Sequence, residues 1–173
     1  MTFFSPAASD DVDHEAVTPP STATGRRAPR PHRGRAGKVA GLTLAALLLV
    51  GACTSGDEDH AVDLVNSARR ANGRAALSTN VSLIITAQAW SQHMASTQSL
   101  VHRTKLSDGA PAGWRKLGEN IGYASSVDGI QSAFMNSAGH KANILDSTFN
   151  NVGIGVTRDG NGRYWETQEF AAL

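Results

Sequence analysis

Ser132–Leu145, SAFMNSAGHKANIL, is the stretch on which the reading of this chain turns. It carries His140, and it has to be read with two other segments. One is Gly118–Ala124, GENIGYA, with Glu119; the other is the Leu-Val-His-Arg that holds His102. Two imidazoles and one carboxylate therefore arrive from three separate places, in small, Gly- or Asn-rich surroundings. That suits a polar site assembled by the fold better than a solvated face.

Taken singly, these residues say little. His102 and His140 each read as surface histidines, as does His93, while His60 stands at the start of the domain and His14 and His32 lie in the N-terminal leader. Glu119, between Gly118 and Asn120 with a strand starting at Ile121, is more constrained. A carboxylate beside an apolar strand must be solvated, paired or used. Together, two imidazoles and a carboxylate are a reasonable ligand set for Zn²⁺ or another divalent cation, or an acid/base cluster near neutral pH. His102 and His140 stand 38 residues apart and no HExxH is present, so any metal site must come from tertiary structure.

Charge separates the chain into two parts. Of 16 Lys/Arg and 15 Asp/Glu residues, six and four fall within the first 52 positions, leaving ten and eleven for the remainder. The basic excess belongs to the leader, and the rest offers no electrostatic case for nucleic-acid binding. Residues 1–38, rich in Pro, Ala, Arg and Ser, are expected to be disordered. They form a cytoplasmic tail, or translation begins further in.

Residues 39–52, VAGLTLAALLLVGA, are an uncharged apolar run too short to span a bilayer comfortably. Behind basic residues, the run fits the hydrophobic region of a signal peptide. Val-Gly-Ala-Cys at 50–53 resembles the lipobox of bacterial lipoproteins, in which the cysteine is lipidated and the chain is cut just before it. An ordinary secretory signal, or an uncleaved anchor, is the alternative. Cys53 is the single cysteine, so the folded part rests on packing without an internal disulfide. Residues 53–59 read as a tether.

Asp59 can cap a helix over about 60–72, closed by Asn72-Gly73. Ser78-Thr79-Asn80 opens a second, in which Leu83, Ala87, Trp90 and Met94 form one core stripe. Ser99–Lys116 reads as a long irregular connection. Glu119–Ala124 is a strand, Ser125-Ser126 starts a helix to about Asn136, and Ser137–Leu145 is a turn or its continuation. Val152–Val156 and Arg163–Phe170 are strands joined by a hairpin at Asp159-Gly160-Asn161-Gly162. Gly153 and Gly155 would leave one face bare for close approach of another element.

Seven motifs then fall in a familiar order: VNSARRANG, AQAWSQHMA, the histidine before a variable loop, GENIGYA, AFMNSAGHKANIL, NVGIGV and YWETQEF. In this respect residues 60–173 resemble the CAP domain of cysteine-rich secretory proteins, antigen 5 and pathogenesis-related class 1 proteins, in its short disulfide-free bacterial branch. The resemblance implies an α+β fold, a three-layer α-β-α sandwich with a central, mostly antiparallel sheet. It also implies a cleft of two histidines and two glutamates that binds divalent metal in some members. The matching positions are His102, Glu119 and His140, with Asn120 and Ser137 lining the cleft. The second glutamate of the animal and plant proteins falls near Ser137, where this chain has no carboxylate, and Phe134 stands where a tryptophan is customary.

Three functions follow as expectations. One is a monomeric, exported binding module, held at the outer face of the membrane by lipidated Cys53 or by residues 39–52, with a lipid, peptide or envelope ligand. The second is a metal-dependent hydrolase of peptide or cell-wall bonds using His102, His140 and Glu119. In the third, the polar trio is purely structural.

Overall fold

The computed structural model describes residues 3–4, 8–10 and 56–173, and the readings of the apolar run and of Cys53 lie outside them. Helix α1 spans Gly56–Ala71 and starts four residues earlier than expected. Asp57, Glu58 and Asp59 occupy its first turn and Arg69 and Arg70 its last, both favourable to the helix dipole. Glu58 is buried, and its Oε1 accepts from the Val156 amide at 3.4 Å. The last four residues of the expected tether are thus helix, anchored to the sheet.

Arg69 anchors the other end of α1. It is 2 % exposed, and its guanidinium donates to the carbonyls of Ala75 (2.7 Å), Ile144 (2.6 Å), Asp146 (2.9 Å) and Phe149 (3.4 Å). Arg69→Leu keeps most of the volume but strands these carbonyls, and a buried unmade hydrogen bond is expensive. We expect a loss of about 3 kcal/mol in urea unfolding; a loss below about 1 kcal/mol would mean that water replaces the guanidinium.

After the two-residue strand β3 (Ser78–Thr79), helix α2 (Val81–Thr97) is capped by Asn80, whose side chain accepts from the amides of Ser82 and Leu83. Its buried stripe is Leu83, Ala87, Ser91 and Met94, so Ser91 takes the place expected for Trp90. The reason lies on strand β5 (Asn151–Arg158). A Cβ on Gly153 would meet the backbone of Leu83 at 2.2 Å, and one on Gly155 the backbone of Gln88 at 2.3 Å. The helix backbone rests directly on the strand, and only small side chains fit beneath it. Trp90 is displaced to the rim, where its Nε1 donates to the Val101 carbonyl at 2.9 Å.

Strand β4 (Lys116–Ala124) is followed by α3 (Val127–Asn136), capped by Ser126, and α4 (Ala138–Leu145). Strands β5 and β6 (Tyr164–Ala172) form the expected hairpin. At its turn Asp159 accepts from the amides of Asn161 and Arg163 and from Trp165 Nε1. The Trp165 bond foremost holds the Asp159 carboxyl below the usual range.

The sheet runs β4-β6-β5-β3, antiparallel except for β3 against β5. Helix α2 covers one face, with Leu83, Met94, Leu117, Ile121 and Trp165 beneath it. Helices α1, α3 and α4 cover the other, around Val65, Ile130, Phe134, Ile144 and Phe170. This is the expected α+β three-layer sandwich. Every core residue among those described lies between Ala61 and Leu173.

Short strands β1 (Phe3–Phe4) and β2 (Ala8–Asp10) pair antiparallel with the outer edge of β4.

Candidate functional site

Alternation along β4 sends Glu119 to the α2 face and Asn120 to the α3/α4 face. Each is fully buried, and each organises one half of the site.

On the α2 face, Glu119 Oε1 contacts His102 Nδ1 at 2.6 Å and accepts the Arg103 amide at 3.1 Å. Directly across on β6 stands Glu169. Its carboxylate accepts from Arg103 Nη1 and from the Thr86 hydroxyl of α2, each at 2.6 Å. Arg103 reaches further, to the Asp108 carbonyl. Residues 102 and 103 therefore pin the long connection to the sheet through two neighbouring carboxylates. Burial pushes the Glu169 carboxyl up, against the opposing pull of Thr86 and Arg103.

On the other face, Asn120 Nδ2 donates to the His140 carbonyl and to Gln168 Oε1, both at 3.1 Å. Asn143 Nδ2 donates back to Asn120 Oδ1 (3.1 Å) and to the Glu119 carbonyl (3.2 Å). Gln168 Nε2 continues the network to Glu166 Oε1 (2.7 Å) and Gln131 Oε1 (3.3 Å). The motifs GENIGYA and AGHKAN meet here, and amides do the joining. His140 is buried, lies 4.9 Å from the Phe134 ring and contacts Ser137 Oγ through Nδ1 at 2.8 Å. Ser137 is the cap position of α4 and has no sharp strand-to-helix elbow behind it.

The structure thus brings His102 to Glu119, Ser137 to His140, and Asn120 to the His140 backbone. The helix carrying His140 packs on the face away from His102. No group of three His, Cys, Asp or Glu side chains among the described residues is placed to hold a metal ion. The expected Zn²⁺ set is therefore not assembled by these residues, and no metal-dependent step is derived from them. His60 pairs with Asp128 at 3.1 Å on the surface, and His93 is exposed against Trp90.

Sequence reading missed Arg103, Thr86, Gln131 and the β6 residues Glu166, Gln168 and Glu169. A signal was present in Glu166-Thr167-Gln168-Glu169. β6 is flanked by β4 and β5, and four polar residues in a row there put polar groups on both faces, each needing a buried partner.

The sequence model of the CAP family, the cysteine-rich secretory proteins, matches residues 62–170. This chain belongs to the CAP family. YkwD of Bacillus subtilis (strain 168) is 30 % identical over 122 residues, 65 % of this chain and 46 % of YkwD, so the chain spans about half of that relative. An extracellular SCP-domain protein of Bacillus anthracis (strain Ames) superposes with a TM-score of 0.58 at 25 % identity, covering 68 % of this chain and 41 % of that one. An outer surface protein of Borrelia burgdorferi shares the fold, with a TM-score of 0.61 at 12 % identity over 66 % and 91 %.

Proposed function

We propose that this CAP-domain protein is exported and acts as a binding module at the cell envelope. It is displayed on the outer face of the membrane by lipidated Cys53. The surface at the part-exposed His102 and Arg103, backed by the buried Glu119, takes its ligand, a lipid, peptide or envelope component. One observation carries the reading: the polar groups are bonded to one another. His102 and Arg103 close on Glu119 and Glu169, which locks the long connection to the sheet as a wall. A metal-assisted hydrolase instead needs several ligands converging on an open coordination position. The extracellular protein of Bacillus anthracis and the outer surface protein of Borrelia burgdorferi support an outward location.

Zinc calorimetry on the purified protein separates these readings. The expected result is no heat that the His102→Ala/His140→Ala double variant abolishes. Micromolar binding lost in that variant would move the function to metal-assisted chemistry. Anchoring is tested separately by cell fractionation. Cys53→Ser should release the protein from the membrane fraction, and retention would make residues 39–52 the anchor.

A further inference from the structure

Strand β4 is paired with β6 through all nine of its residues, and its other edge is covered only by the short strands β1 and β2. A long regular edge exposes a row of N–H and C=O groups and is a template for an added strand. Natural edges are blunted by proline, charge or bulges. β4 contains no proline, and its two charged residues are Lys116, at the first position, and Glu119, which is turned inward to His102 and Arg103.

The edge is already used within the chain. Phe3 and Phe4 stand opposite Tyr123 and Gly122, and Ala8, Ser9 and Asp10 stand opposite Glu119, Gly118 and Leu117.

We propose that the outer edge of β4 is a peptide-binding site that takes an extended segment as a further antiparallel strand. Its ligand has an aromatic residue opposite Tyr123 and small residues opposite Gly118 and Glu119. Backbone hydrogen bonds supply the affinity, and the alternate side chains supply the selection. Strand addition places the peptide beside the wall formed by His102 and Arg103, so the proposal names peptide as the ligand class of the binding module. It rests on the export reading for the source of that peptide. In an exported domain, residues 1–38 stay behind the apolar run, and the edge is open to a partner's segment.

The test uses residues 53–173, which contain every core residue named above, and a fluorescein-labelled peptide of residues 1–12, MTFFSPAASDDV. Fluorescence anisotropy should saturate with a Kd at or below about 100 μM. Two N-methylated peptides probe the geometry, one modified at Ala8 and Asp10, the other at Ser9. Successive amides of a strand point to opposite sides. One of the two should therefore bind at least about tenfold more weakly, and the other should match the parent. Absence of saturation at about 1 mM, or equal binding by both methylated peptides, overturns the proposal. Neither result bears on export, which the Cys53→Ser fractionation reads independently.

Discussion

Gly155→Val leaves the protein unfolded at room temperature. A Cβ at this position would lie 2.3 Å from Gln88 N and 2.4 Å from both Ala87 C and Gln88 Cα. All three are backbone atoms of α2, so no side-chain rotamer change can relieve the clash. The helix must lift from β5, opening the core around Leu83 and Met94. Overpacking of a tight interior site costs about 1–3 kcal/mol where side chains can adjust, and more where they cannot. Lifting a whole helix is comparable with a total stability of about 5–15 kcal/mol. Far-UV circular dichroism and urea unfolding check the result against Gly160→Ala, where an added Cβ meets open space and the change should stay within about 0.5 kcal/mol. A cooperatively folded Gly155→Val with a near-native midpoint would contradict direct helix-on-strand contact.

Stability declines as the solution is made more alkaline, and Glu166 is the reason. Its side chain is fully buried, and burial pushes its carboxyl up to about 8, against the pull of the Gln168 hydrogen bond. Its Oε2 has no hydrogen-bond partner. In the unfolded chain the same group releases its proton near 4.5. Between those values the folded state holds one more proton than the unfolded state. This contribution is therefore fully present below about pH 4.5, is lost as pH rises toward about 8, and is level above that. The slope is roughly 1.4 kcal/mol for each pH unit. Glu166→Gln removes the titration while keeping the shape, so the variant should gain on the parent steadily between pH 5 and 8. Urea midpoints for both proteins across that range test this, and parallel pH profiles would show that Glu166 is ionised in the fold.

Much of the scaffold was legible along the chain because its signals are local. Asn80 and Ser126 cap the helices that they precede, Asp159-Gly160-Asn161-Gly162 makes the hairpin, and Gly153 and Gly155 mark where α2 lands. Trp90 was misplaced because its spacing fits the stripe while its size does not fit above a glycine strand. The early start of α1 was hidden for a similar reason. Thr54-Ser55-Gly56-Asp57-Glu58-Asp59 is polar enough for a tether, but a first turn of acids suits a helix N-terminus, and Glu58 finds the Val156 amide 98 residues away.

By itself the sequence determined the layers and the family. Caps, turns and apolar spacing act within a few residues, and the motif order survives in the linear text. It also named His102, Glu119 and His140 as residues of interest. Only the tertiary structure decided how they are used, because pairing depends on which face of β4 each partner approaches. Alternation puts Glu119 against His102 and Arg103 and puts Asn120 under α4, and cross-strand register sets Glu169 beside Glu119 and Gln168 beside Asn120. Those neighbours lie tens of residues apart in the chain. A carboxylate's role is set by the charge and hydrogen bonds that reach it, and in this protein they come from the fold.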